Sequence, residues 1–174
     1  WWKGGCFLEI CDDIFSQDSW RIAQKKEFSK DQERWLINRL DNDTAWYVWF
    51  VKSNKMKQEY LQLQKWDRVI KTYIASLEWH LWSTVDVDVP LMHHRMKERM
   101  ICATPDQVKY WVWSLLFVQT HIVPVLYNKE SNQTRVLVWI KKWARHQIRC
   151  HCSFLWHPIV WDVLYWNKSD CLQL

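Results

Sequence analysis

The chain has 174 residues, a net charge of +5 and a mean hydropathy of −0.39, with 49% hydrophobic and 25% charged residues. These values describe a globular chain long enough to bury its own core, and they exclude a disordered polymer or a set of several membrane spans. Two glycines, Gly4 and Gly5, stand against sixteen tryptophans. P-loops, dinucleotide turns, nucleophile elbows and EF-hands need glycine where backbone meets ligand or φ turns positive, so none of them has its usual form after residue 5.

The first elements are short. Residues 6–16 form a weak helical candidate, Ser29 with Gln32 resembles a capping box opening a helix through Leu40, and AWYVWFV (45–51) has the β-branched and aromatic content of a strand. The clearest periodicity runs over 54–82. Met56, Tyr60, Leu63, Trp66, Ile70, Ile74, Leu77 and Leu81 fall on one helical stripe behind Asn54 as N-cap. TVDVDV (84–89) alternates like a strand, and 91–102 is a further helical candidate. TPDQ sets Thr104 as cap and Pro105 in the first turn of a helix that carries Val108, Trp111, Val112, Leu115 and Ile122 to Pro124.

No charged side chain occurs from Tyr110 to Asn128. That length suits a membrane anchor near 110–127, although Ser114, Gln119, Thr120, His121 and Pro124 favour a buried core segment. IVPVLY (122–127) and RVLVWI (135–140) have strand composition, with the polar loop 128–134 between them. Residues 158–166 are a last helical candidate. The expected fold is mainly α, a single-domain helical bundle over 1–174; the alternative is α+β with a small sheet from 45–51, 84–89, 122–127 and 135–140.

Between Glu130 and Asp162 there is no acid, while Arg135, Lys141, Lys142, Arg145 and Arg149 supply five positive charges, equal to the net charge of +5. On one helix over 135–156 four of these cations gather opposite Val136, Ile140, Trp143, Gln147 and Phe154. That amphipathic pattern suits an anionic or acidic macromolecule, whether protein, nucleic acid or membrane surface.

The stretch HQIRCHCSFLWHP packs three histidines and two cysteines. On a helix Cys150 and Cys152 lie about 200° apart and cannot share an ion, whereas His146 and Cys150 can, with His157 as a distant third. Two ligands do not make a structural zinc site, so neither metal nor other cofactor is expected. Asp86 and Asp88 would project to one side of a strand, the arrangement that paired-metal phosphoryl transfer uses. V-D-V-D-V resembles the acidic motif of the nucleotidyltransferase superfamily, which implies magnesium and a nucleoside triphosphate held by Asp86 and Asp88. That family's upstream Gly-Ser pair is answered here by Ala75-Ser76.

Three sequons, at Asn42, Asn132 and Asn167, and an even six cysteines point towards secretion and candidate glycosylation. The chain opens on Trp1 with no basic-then-apolar leader, as a processed form or fragment would. The excess of tryptophan over glycine also suits a designed or artificial protein. Together these observations predict a non-enzymatic helical interaction protein, such as a secreted helical ligand, presenting the 135–156 helix. A magnesium-dependent nucleotidyltransferase and a membrane-associated subunit are the alternatives.

Overall fold

A computed structural model describes residues 37, 49, 51, 53–94, 99–103, 105–110 and 114–166. The chain divides into two compact units, Trp1–Leu63 and Gln64–Leu174. In the first, the Ile37 amide donates to the Trp49 carbonyl at 3.1 Å, and helix α1 (Asn54–Lys65) begins. Ser53 rather than Asn54 caps α1, its hydroxyl accepting the Met56 amide at 3.3 Å.

The second unit is built on an antiparallel sheet of β1 (Lys71–Glu78), β2 (Val85–Val87), β5 (Thr120–Asn128) and β6 (Gln133–Ile140), in spatial order β1-β6-β5-β2. A separate hairpin pairs β3 (Leu91–His93) with β4 (Met100–Cys102), and Leu116 bridges to Leu91 on its other side. Helix α2 (Pro105–Tyr110) is brief, and α3 (Gln147–Phe154) follows the sheet. After α3 the chain returns along β1. The Glu78 amide donates to the Pro158 carbonyl and the Val160 amide to the Ser76 carbonyl, each at 2.9 Å, which covers an edge that would otherwise be open.

The hydrophobic surface divides across α3. Leu77, Val87, Ile122, Val136 and Val138 on one sheet face pack with Cys152, while Leu91, Met100, Cys102, Val118 and Tyr165 pack with Cys150. Two residues of separation on a helix give opposite faces, so α3 is wedged between two cores and must be apolar on both. Each fully buried Leu, Ile or Val there contributes about 1.5–3 kcal/mol. Lys71, also buried, lays its ammonium over the Trp143 ring at 3.5 Å, and burial pushes its pKa down to about 8.

This architecture overturns the helical bundle. The stripe predicted over 54–82 is helical only through Lys65. It breaks at Asp67, whose φ is 54°, and continues as β1. Its apolar residues separate accordingly: Leu77 and Leu81 are buried, whereas Met56, Leu63, Trp66, Ile70 and Ile74 are exposed. The helix expected from Thr104 to Pro124 ends at Tyr110, and Ile122 and Pro124 belong to β5. Pro124 is accommodated at a bulge, where the register with β6 shifts between Pro124 and Leu126. Residues 91–102 hold the β3–β4 hairpin, and 158–166 hold turns. No helix among the described residues is long and apolar enough to cross a membrane, and in the predicted anchor near 110–127 residues 120–127 are strand.

The α+β alternative placed strands at 84–89, 122–127 and 135–140, where β2, β5 and β6 lie, but it omitted β1. Apart from Trp49 and Val51, neither of them in a strand, 45–51 lies outside the described residues, as do the candidates at 6–16 and 29–36.

Candidate functional site

The face of the four-stranded sheet opposite the first core carries polar and aromatic side chains. Register aligns Asp86, His121, Trp139 and Thr72 in one row across β2, β5, β6 and β1. Side chains directly opposite one another in a sheet share a face, which is why residues from four distant segments meet. His121 Nδ1 donates to Asp86 Oδ1, which orients the imidazole. The imidazole stacks on Trp139 at 4.2 Å between centroids and 28° between planes.

Asp86, His121 and Trp139 of this row form one wall of an open cleft of about 470 Å³, which Asp88, Phe117 and Lys141 also line. Lys142 pairs with Asp67 at 3.6 Å at its rim. Asp67 Oδ1 is buried and has no hydrogen-bond donor among the described residues. The cleft therefore combines carboxylate acceptors, ammonium donors and aromatic faces. It can take a ligand that is itself part anion, part hydroxyl and part ring.

A second polar group lies behind the sheet. His151 is buried. Its Nε2 donates to the Val89 carbonyl at 2.9 Å, so Nδ1 accepts from the Thr120 hydroxyl at 2.8 Å. Thr120 Oγ1 in turn accepts from Gln147 Nε2 at 2.9 Å. Desolvation lowers the His151 pKa to about 4, against smaller opposing contributions from the Val89 carbonyl and the Asp88 charge. Burial likewise pushes the Cys152 thiol up to about 12, with the Asp162 charge adding to it, so Cys152 is a core residue and not a nucleophile.

The predicted cations are dispersed because 135–156 is not one helix. Arg135 is on β6, exposed Lys141 and Lys142 follow the strand, Arg145 lies in a turn, and His146 at φ 54° separates that turn from α3. Arg149, on α3, makes a bidentate pair with Asp162, both hydrogen bonds 2.7 Å long. Lys141 and Lys142 are thus brought to the cleft, and Arg149 is committed to the fold.

The residues weighed as metal ligands, His146, Cys150 and His157, face different partners. His146 Nδ1 meets the Tyr165 hydroxyl at 3.0 Å, Cys150 lies 3.7 Å from Cys102 Sγ, and His157 Nδ1 donates to the Glu78 carbonyl at 2.9 Å. No group of three or more His, Cys, Asp or Glu among the described residues is placed to hold a metal ion. Cys102, Cys150 and Cys152 are buried, while Cys6, Cys11 and Cys171 lie outside the described residues. Of the glycosylation candidates, Asn132 is in the β5–β6 turn with Thr134 of its sequon buried; Asn42 and Asn167 lie outside the described residues.

Phe117 and the row of Asp86, His121 and Trp139 were not foreseen from sequence, where His121 counted only as a polar interruption of 110–128. Reading 122–127 and 135–140 as a paired hairpin would have set His121 beside Trp139. A second pair of aspartates with the i, i+2 spacing of Asp86 and Asp88, Asp41 and Asp43, was also passed over, and it too lies outside the described residues.

No family model matches the chain. Over 131 residues it is 28% identical to the ribosomal large subunit pseudouridine synthase D of Buchnera aphidicola subsp. Schizaphis graminum, covering 75% of this chain and 38% of that protein. Over 133 residues it is 29% identical to the uncharacterized RNA pseudouridine synthase YjbO of Bacillus subtilis, covering 75% and 43%. Among solved structures it resembles human RNA pseudouridylate synthase domain containing 1, with a TM-score of 0.64 and 24% identity over 78% of this chain and 56% of that one. It also resembles human RNA pseudouridylate synthase domain containing 4, with a TM-score of 0.59 and 22% identity over 76% and 52%.

These likenesses overturn the remaining expectations of function. The relatives are natural bacterial proteins named as enzymes, which contradicts a non-enzymatic helical interaction protein, a nucleotidyltransferase, a membrane subunit and an artificial protein. The names concern RNA, in agreement with an anionic macromolecule as partner. The chain thus shares the fold of pseudouridylate synthase domains and spans less than half the length of the curated relatives it matches.

Proposed function

We propose that the chain is part of an RNA pseudouridine synthase. The observation that carries this reading is agreement between two likenesses: about three-quarters of the chain aligns with enzymes of that name in sequence, and a similar share does so in fold. The open cleft, with aromatic, ammonium and carboxylate side chains on a rigid sheet, fits a polyanion that carries rings.

The reaction is an isomerisation of uridine. The N1–C1′ bond breaks, a C5–C1′ bond forms, the C5 proton leaves and N1 gains one, so the balance needs neither redox partner nor co-substrate. Cleavage of a glycosidic bond leaves C1′ electron-poor, and carboxylates are the side chains that proteins set against such a centre. Asp41, Asp43, Asp86 and Asp88, the two spaced pairs, are the candidates for that role.

Uridine-containing RNA tritiated at C5 should release tritium to water when incubated with the protein. One of Asp41→Asn, Asp43→Asn, Asp86→Asn or Asp88→Asn should abolish the release. Absence of release from the folded protein on ribosomal and transfer RNA alike would reject the proposal, and so would full activity in all four variants.

A further inference from the structure

The cleft on the open sheet face brings together three kinds of group that no single small ion would use. Trp139, with His121 stacked on one face, and Phe117, 54% exposed, supply aromatic surface on its walls. Lys141 supplies a cation with no ion pair among the described residues, while Lys142 is already held by Asp67. Asp88 is exposed at the same cleft, and Asp67 Oδ1 is buried with no donor among the described residues.

An inorganic phosphate would engage the Lys141 ammonium and leave the aromatic faces and the carboxylate acceptors of the cleft unused. A metal ion is also poorly matched, since one carboxylate serves His121 and another serves Lys142. The remaining acceptors need a neutral donor, the free ammonium needs an anion, and the aromatic faces need a flat ring. A nucleotide has all three, and the neutral donor is found on ribose but not on deoxyribose at the 2′ position.

We infer that this cleft is a ribonucleotide subsite for a single-stranded stretch of RNA: its base against Phe117 and Trp139, its 2′-hydroxyl donating to Asp88, its phosphate at Lys141. The inference rests on the reading of RNA as the partner and adds where one nucleotide of it sits. Asp86 holds the imidazole that supports Trp139 from behind, so the indole presents one face to the ligand.

Anisotropy of a labelled octauridylate and of its deoxy counterpart, measured on the whole chain, tests this. Phe117→Ala should weaken octauridylate binding about tenfold, as loss of one stacking side chain does. Lys141→Ala should weaken RNA and DNA equally and reduce the salt dependence by about one phosphate contact. Asp88→Leu, which removes the acceptor, should erase most of the preference for RNA over DNA without weakening DNA binding. Unfolding midpoints equal to wild type exclude misfolding as the cause.

Equal affinity of the wild type for RNA and DNA overturns the inference, as does unchanged RNA binding in all three variants. The tritium assay separates this outcome from failure of the proposed activity. Variants that lose binding as described in a protein that releases no tritium leave the subsite standing and remove the synthase. Tritium release that persists with unaltered RNA affinity in all three variants does the reverse.

Discussion

Trp79, Trp156 and Trp161 hold φ angles of 64, 66 and 62°, in the left-handed region where a side chain crowds its own backbone. Glycine is the usual occupant of such positions, and the chain has none beyond Gly5. Trp161 is 89% exposed, so its indole offsets little of that strain by burial. Trp161→Gly is therefore expected to raise stability by about 1 kcal/mol, seen as a higher urea midpoint at unchanged m-value.

His151 gives a second residue-scale expectation. Its native pKa of about 4 lies below the ordinary value of 6.5, so the unfolded chain binds the extra proton between those pH values. The stability it contributes is complete above pH 6.5 and is lost as pH falls towards 4. Between pH 7 and 5 the loss should be about 2 kcal/mol. His151→Gln, which keeps one acceptor and one donor, should flatten that part of the stability profile; an unchanged slope would assign it to other groups.

The elements depend on a few polar ties between segments. Asp162, with its side chain 4% exposed, accepts both hydrogen bonds from Arg149 and also the Leu164 and Tyr165 amides at 3.1 and 3.2 Å. It fastens α3 to the segment that returns along β1. Asp162→Ala strands the guanidinium in a half-buried place and should cost about 3 kcal/mol, read from chemical unfolding. The β5–β6 turn has a similar economy. Asn128 Oδ1 accepts the Glu130 amide at 2.9 Å, and the Tyr127 hydroxyl donates to Asn132 Oδ1 at 2.8 Å. Because β6 is paired on both sides, by β1 and β5, its amides should exchange with solvent more slowly than those of α1, in which no residue is buried.

For the molecule as a whole, the distribution of charge decides what each cation does. Lys141 at the open cleft and Arg149 in its ion pair carry the same charge, yet they belong to different balances. Arg149→Ala should lower the unfolding midpoint and leave the salt slope of RNA binding unchanged. Lys141→Ala should do the opposite, with stability within about 0.5 kcal/mol of wild type. Equal effects of the two on salt dependence would show that both cations meet the polyanion.

Local chemistry was legible in the sequence: the Pro105 helix start, the polar 128–134 loop, the strand composition of 84–89, 122–127 and 135–140, and an overall charge suited to an anionic partner. What misled was punctuation. Periodicity carried a helix through 54–82 and another through 135–156 because nothing marked Asp67 or His146 as left-handed breaks, and tryptophan at 79, 156 and 161 hid turns that glycine would have announced.

The sequence by itself determined which segments are apolar, which are charged and where carboxylates stand two residues apart. Only the tertiary structure decided that Leu77 is in and Ile74 out, that Asp86, His121 and Trp139 form one row, and that Arg149 is committed to Asp162. The reason is that strand register and wedge packing are set by contacts between residues tens of positions apart, and neither is encoded in the spacing within any one segment.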